Sequence, residues 1–206
     1  MNFPLFETLC IEKGQVQNLA LHQQRYENSL REFYAGQPYE IFSLAKILQK
    51  NTALWANNQS PIIRCRIDYN ATQYHLQCFP YHRKTYQRFQ PVICDDIDYH
   101  LKYSNRAIFN ELLKQKGDCD EIIIVKQGKI TDCTIGNLIL RQGSQWFTPD
   151  SPLLIGTQRT ALLQQNKIKV RSIFLADLAD YEEIRLINAL NPLCVFNHSF
   201  DDLCRG

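Results

Sequence analysis

The sequence predicts a mixed α+β chain built as two domains, a small N-terminal one over residues 1–88 and a larger mixed-sheet one over 89–206. Two observations carry this. Strand-like runs separated by turn signals outnumber the helical stretches and do not alternate regularly with them, which argues against a doubly wound parallel sheet. A shift in composition around TYQRFQPVICDD, with Pro91 inside it, marks the boundary.

In the first domain, Phe3 to Ile11 reads as a strand, Lys13-Gly14 as a turn, and Val16 to Leu19 as an antiparallel return. His22 to Tyr34 reads as a helix, with Tyr26, Leu30 and Phe33 on one stripe and Gly36 and Pro38 ending it. A second helix is expected near Phe42 to Leu54. PIIRCRIDYNATQYHLQCFPY reads as a hairpin turning near Asn70, with Arg64 and Arg66 on one face of its first strand. In the second domain, Ser104 is a candidate N-cap for a helix to about Lys116 that buries Ile108, Phe109 and Leu112. DEIIIVKQGKITDCTIGNLILRQGSQWFTP reads as short strands split by Gly128, Gly136 and Gly143, and GTQRTALLQQ as a helix beginning after Gly156. Strands are expected over Lys167–Phe174, Glu183–Leu190 and Cys194–Phe200.

The 206 residues carry a formal net charge of +2 and no basic run, so neither nucleic acid nor a membrane surface is the expected partner. The opening MNFPLFETLCIEKG lacks the basic and apolar regions of a signal peptide, and a cytoplasmic protein is expected. The eight cysteines form no C-x-x-C pair and read as free thiols; with five scattered histidines, no metal site is expected.

Three segments carry candidate chemistry. Lys102 lies between an apolar approach and a helix start, where burial or a helix dipole would lower its pKa from about 10.4 and make it a nucleophile; a snorkelling surface lysine is the plain alternative. Asp132 follows the Gly128 turn and could face a pyridine nitrogen or merely cap a turn. Gly156-Thr157 opening a helix offers N–H groups and a hydroxyl to a phosphate, or simply an N-cap.

In their order and spacing these segments resemble the fold type IV pyridoxal-phosphate enzymes, which include the class IV aminotransferases (branched-chain and D-amino acid types) and aminodeoxychorismate lyase. FETL at Phe6 resembles the opening strand, and HQQRYENS the helix whose arginine, here Arg25, reaches the cofactor phosphate. LKYSNRAIFNELL resembles the segment of the Schiff-base lysine, Lys102. DEIIIVKQGKITDCTIGNLIL resembles the pyridine-contact segment, with Asp132 where the family usually has Glu. TPDSPLLIGTQR resembles the phosphate loop, placing Gly156 and Thr157 at its helix start, and LINALNPL the last loop of the site, with Asn188 and Ala189.

The resemblance implies pyridoxal 5'-phosphate as cofactor, a small amine substrate, and a homodimer with the site between domains; Phe6, Arg64 and Arg66 are the candidate substrate contacts. Arg64 and Arg66 would suit a substrate with two carboxylates, or form a solvated strand face. Lys102 would act as the base at the substrate α-carbon. Asn105 and Arg106, with the final loop, resemble the lyase, which releases pyruvate and 4-aminobenzoate. An amino-acid transaminase is the alternative, and a non-catalytic dimeric relative a further one.

Overall fold

In a computed structural model, which describes residues 3–193, the chain is a mixed α+β fold of three sheets and four α-helices. The first sheet is antiparallel, in the order β2-β1-β3-β4, from β1 (Leu5–Glu12), β2 (Gln15–Val16), β3 (Ile62–Tyr69) and β4 (Tyr74–Pro80). Helices α1 (Leu19–Phe33) and α2 (Leu44–Lys50) cover it. Their apolar positions, among them Tyr26, Leu30, Leu44 and Ile47, join Leu5, Leu9, Ile63, Ile67 and Tyr69 in one core. The second expected helix thus ends at Lys50, followed by a single 3-10 turn at Thr52–Leu54. The hairpin turns where expected, because the Asn70 side chain accepts from the N–H groups of Thr72 and Gln73.

Strand β5 (Phe89–Ile93) runs parallel to β6 (Glu121–Lys126), whose other edge takes β7 (Lys129–Ile130). Between β5 and β6 lies α3 (Ala107–Leu113). The third sheet has the order β11-β10-β9-β12, with β8 also paired to β9. Its strands are β8 (Asp132–Cys133), β9 (Gly136–Gln142), β10 (Gln145–Pro149), β11 (Lys169–Arg171) and β12 (Glu183–Ile187), with α4 (Thr157–Gln164) between β10 and β11.

Two expectations are corrected. Ser104 does not cap α3: the helix starts at Ala107, Asn105 Oδ1 accepts the Ala107 N–H, and the Ser104 N–H is instead drawn to Pro4 O. Ile108 is 40% exposed, since a helix only two turns long buries just the stripe holding Phe109 and Leu112. Gly136 stands at the break between β8 and β9, as expected, and opens β9, where an added Cβ would lie 2.5 Å from Ile187 O on the neighbouring strand. The strand expected over Cys194–Phe200 lies outside the described residues. Among those described, no helix is long and apolar enough to cross a membrane.

Candidate active site

The start of β1 positions the lysine. Phe6 N–H donates to Lys102 O at 3.1 Å, Leu5 bridges to Tyr103, and Ser104 N–H donates to Pro4 O at 2.7 Å, so residues 102–104 are laid against β1 as a short extra rung. That rung explains a lysine amid apolar neighbours: Leu101 is buried, and the Lys102 amine comes to rest 4.7 Å from the centre of the Phe6 ring. Among the described residues the amine has no hydrogen-bond or ion-pair partner. Burial, reinforced by the Arg25, Arg106 and Arg66 guanidiniums and opposed by Glu7, pushes it down to about 7.

Beside it, Glu7 is fully buried and holds two side chains of α1, the Arg25 guanidinium and the His22 ring. Arg25 grips it twice, at 2.8 and 2.6 Å, and His22 Nδ1 lies 2.7 Å away. Burial alone would raise the Glu7 carboxyl, but Arg25 and His22 more than reverse this and hold it at about 2. An ionised carboxylate only accepts, so His22 Nδ1 carries the proton. Burial lowers the His22 pKa, and the neutral ring's Nε2 then accepts the Thr157 hydroxyl at 3.2 Å. The Thr157 hydroxyl is thereby committed to His22. What α4 offers outward is its first-turn N–H groups, which have no intrahelical acceptor. Arg25 Nη1 reaches Ile155 O at 3.4 Å, next to that helix start.

Asp132, the candidate acid, is buried on the short strand β8. Asn137 Nδ2 donates to its Oδ1 at 2.8 Å, and Leu154 N–H donates to its Oδ2 at 3.0 Å. Burial pushes its carboxyl up to about 7, against the lowering by those donors and by the Arg159 charge. Asn137 also donates to Leu154 O at 2.8 Å, tying Asp132 to the loop before α4. A Cβ on Gly156 would fall 2.0 Å from Asn137 Oδ1, so any larger residue must push the Asn137 side chain off Asp132. Arg106 links the two halves: it donates to Thr134 O and to Tyr99 Oη and lies 4.5 Å over Phe109.

Arg25, Lys102, Phe6, Thr157 and Arg66 therefore gather around Glu7 and the Phe6 ring, with the Arg66 guanidinium 3.9 Å from the ring centre and paired to Asp68. Arg64 instead lies exposed over Phe79 at 5.2 Å. Asn188 braces the last loop, donating to Ile135 O and accepting from the N–H groups of Leu190 and Asn191. Ala189 lines a separate cavity of about 560 Å³ that none of Lys102, Asp132 and Thr157 borders. Sequence reasoning missed Glu7, His22 and Asn137. A carboxylate in the apolar run LFETLCI, and a histidine one helical turn before Arg25, were the available signals.

The described residues suit pyridoxal phosphate on their own chemistry. They supply an amine of lowered basicity without a partner, a buried acid with spare lone pairs, and an arginine beside an open helix start. Among the described residues, no cluster of His, Cys, Asp and Glu could hold a metal ion.

Comparison with known proteins agrees. The family described as amino-transferase class IV matches residues 98–194. An uncharacterised protein of Haemophilus influenzae is 58% identical over 191 residues, 93% of this chain and all of its own length. A crystal structure from Haemophilus somnus 129PT, provisionally named a 4-amino-4-deoxychorismate lyase, is 61% identical, with a TM-score of 0.90 over 94% of this chain and 99% of that one. A hypothetical aminotransferase from Mycobacterium tuberculosis, in its PLP-bound form, shares the fold at 17% identity, with a TM-score of 0.78 over 92% of this chain and 78% of that one. The chain belongs to the class IV aminotransferase family of fold type IV pyridoxal-phosphate enzymes.

Proposed function

We propose that this chain is a pyridoxal-phosphate enzyme that breaks aminodeoxychorismate into pyruvate and 4-aminobenzoate. The observation that carries the reading is the Lys102 amine, held near 7 and without a partner, in a site that also contains a buried acid, Asp132. When bound, the cofactor supplies an aldehyde carbon for an amine and a ring that takes up electrons.

The protein's part follows from its own groups. Near neutral pH a substantial fraction of Lys102 is free base, able to hold the cofactor and, once released, to take a proton from the substrate α-carbon. Asp132 keeps a proton on the ring nitrogen; its side chain is one methylene shorter than the family's usual glutamate, and Asn137 and Leu154 fix its direction. Arg25 and the first turn of α4 hold the phosphate. Arg66 and Arg106 draw substrate carboxylates toward Lys102. The lyase reading draws its support from the 61% identical structure's provisional name and from Asn105-Arg106 following Lys102. The family's own name keeps an amino-acid transaminase as the second reading. A homodimer is proposed from family resemblance, and light scattering that returned a monomer mass would remove that part.

Purified protein should be yellow, with a visible band that borohydride abolishes and that Lys102→Ala lacks. It should release pyruvate from aminodeoxychorismate with no keto acid added. Pyridoxamine phosphate accumulating from simple amino acids, without pyruvate release, would replace the lyase by the transaminase. Protein that stays colourless with added cofactor would reduce it to a scaffold.

A further inference from the structure

The core face of the first sheet carries two thiols that the chemistry above does not use. Cys65 on β3 and Cys78 on β4 are directly paired residues, with their sulfurs 2.8 Å apart. The ladder fixes what kind of pair they are. Tyr81 N–H donates to Ile62 O at 2.9 Å, and Asn70 N–H donates to Gln73 O at 3.0 Å. These two hydrogen-bonded pairs bracket the hairpin. Stepping inward two residues at a time from either end makes 64/79, 66/77 and 68/75 the hydrogen-bonded pairs, and leaves 65/78 between them as a non-hydrogen-bonded pair. That is the position where facing side chains stand closest, with Cα atoms about 4.5 Å apart. A disulfide spans Cα separations of about 4.4 to 6.8 Å. The link can therefore form with little backbone movement.

The two thiols are not equivalent. Cys65 is fully buried among the core side chains of β1 and β3. Cys78 lies partly exposed on β4, the edge strand of the sheet. Hydrogen bonding to Cys65, opposed by burial, lowers the Cys78 thiol, while the same contact and burial raise Cys65. The proton stays on Cys65, and Cys78 is the sulfur that ionises first and can be reached. Cys10 and Cys133 differ on both counts: each is buried, and burial pushes each thiol up, that of Cys10 to about 11.

We propose that Cys65 and Cys78 form a redox-active dithiol that a hydroperoxide converts into a cross-strand disulfide. The Cys78 thiolate attacks one peroxide oxygen; an S–O bond forms, the O–O bond breaks, and the second oxygen leaves as hydroxide or alkoxide. The Cys65 sulfur then attacks Cys78; an S–S bond forms, the S–O bond breaks, and hydroxide departs with the Cys65 proton as water. Two electrons pass from the sulfur pair to the peroxide, and a thiol reductant reverses the change. The link would clamp the two strands whose opposite face presents Arg66 against the Phe6 ring.

The test uses full-length native protein exposed to hydrogen peroxide, alkylated, and mapped by mass spectrometry. The expected product is lighter by two hydrogens, with peptides containing Cys65 and Cys78 joined, and dithiothreitol restores both free thiols. In Cys65→Ser, Cys78 should stop at a sulfenic acid that dimedone traps; in Cys78→Ser, Cys65 should stay unmodified. The wild-type map stands without either variant. The proposal is overturned if both thiols remain fully alkylatable after peroxide while guanidine-unfolded protein oxidises, or if the disulfide maps to another pair such as Cys10 with Cys65.

Discussion

At Glu7 a carboxylate closed off from solvent meets the Arg25 fork and the His22 ring at once. Removing its charge strands Arg25 next to Lys102, so Glu7→Gln should cost about 3–5 kcal/mol in urea unfolding. The same substitution should weaken cofactor binding, read from the visible band during titration. The native carboxyl sits at about 2 against 4.5 for an ordinary glutamate, so its contribution is full above pH ~4.5 and fades as acid approaches pH ~2. Asp132 has the opposite sign. Its folded pKa is raised from 3.8 to about 7, so it favours folding while protonated, and that contribution is lost as pH climbs through about 7. In cofactor-free protein, Asp132→Asn should therefore cost near pH ~4 only about 1–3 kcal/mol, the loss of one accepted hydrogen bond, since its amide can accept from only one of Asn137 and Leu154. Relative to that, its stability on the alkaline side should be higher by on the order of 4 kcal/mol. Urea titrations at two pH values check this; equal effects at both would show that Asp132 is not held protonated. Lys102, Asp132, Arg25 and the Gly156 loop were legible as residues, because each lies in a local segment with its own pattern. Glu7, His22 and Asn137 were not, because their importance lies in contacts across 15, 135 and 17 residues of sequence.

Among the elements, two close approaches are the most exposed to substitution. Gly136 opens β9 where a Cβ would come within 2.5 Å of the Ile187 carbonyl on β12. Backbone cannot yield as a side chain does, so Gly136→Ala should cost about 1–3 kcal/mol and lower the melting temperature with or without cofactor. Gly156→Ala should behave differently. Its Cβ would meet the end of the Asn137 side chain, which can swing away at the expense of its bond to Asp132. Stability should change little, and cofactor affinity should fall. A melting temperature that dropped as far as in Gly136→Ala would contradict this assignment. Helix and strand types were readable from periodicity and turn residues, as in the hairpin at Asn70. The start of α3 was not. Ser104 is a good cap by type, yet the pull of Pro4 O on its N–H draws it onto the β1 rung.

On the scale of the whole molecule, the groups assigned to the cofactor come from distant stretches: Arg25 on α1, Lys102 on the rung beside β1, Asp132 on β8 and the loop before α4. A ligand touching all of them binds only the folded chain. Pyridoxal phosphate at about a hundred times its Kd should add about 2.7 kcal/mol of stability. Thermal melts at rising cofactor concentration should climb for the wild type and climb less for Lys102→Ala. The mixed α+β class was legible because the strand runs do not alternate with helices. The order of strands within the sheets was not, since pairings such as β1 with β3 join segments some fifty residues apart through contacts no local pattern encodes.

The rung between β1 and residues 102–104 also makes the lysine's surroundings depend on a strand distant in sequence. Lys102 lies far along the chain, but its address is written in β1. A fragment beginning at residue 89 could still pair β5 with β6 and β9 with β10, yet its lysine would dangle in water with the basicity of any other. The lowered basicity of Lys102 is thus a property that β1 helps confer on a residue nearly a hundred positions downstream.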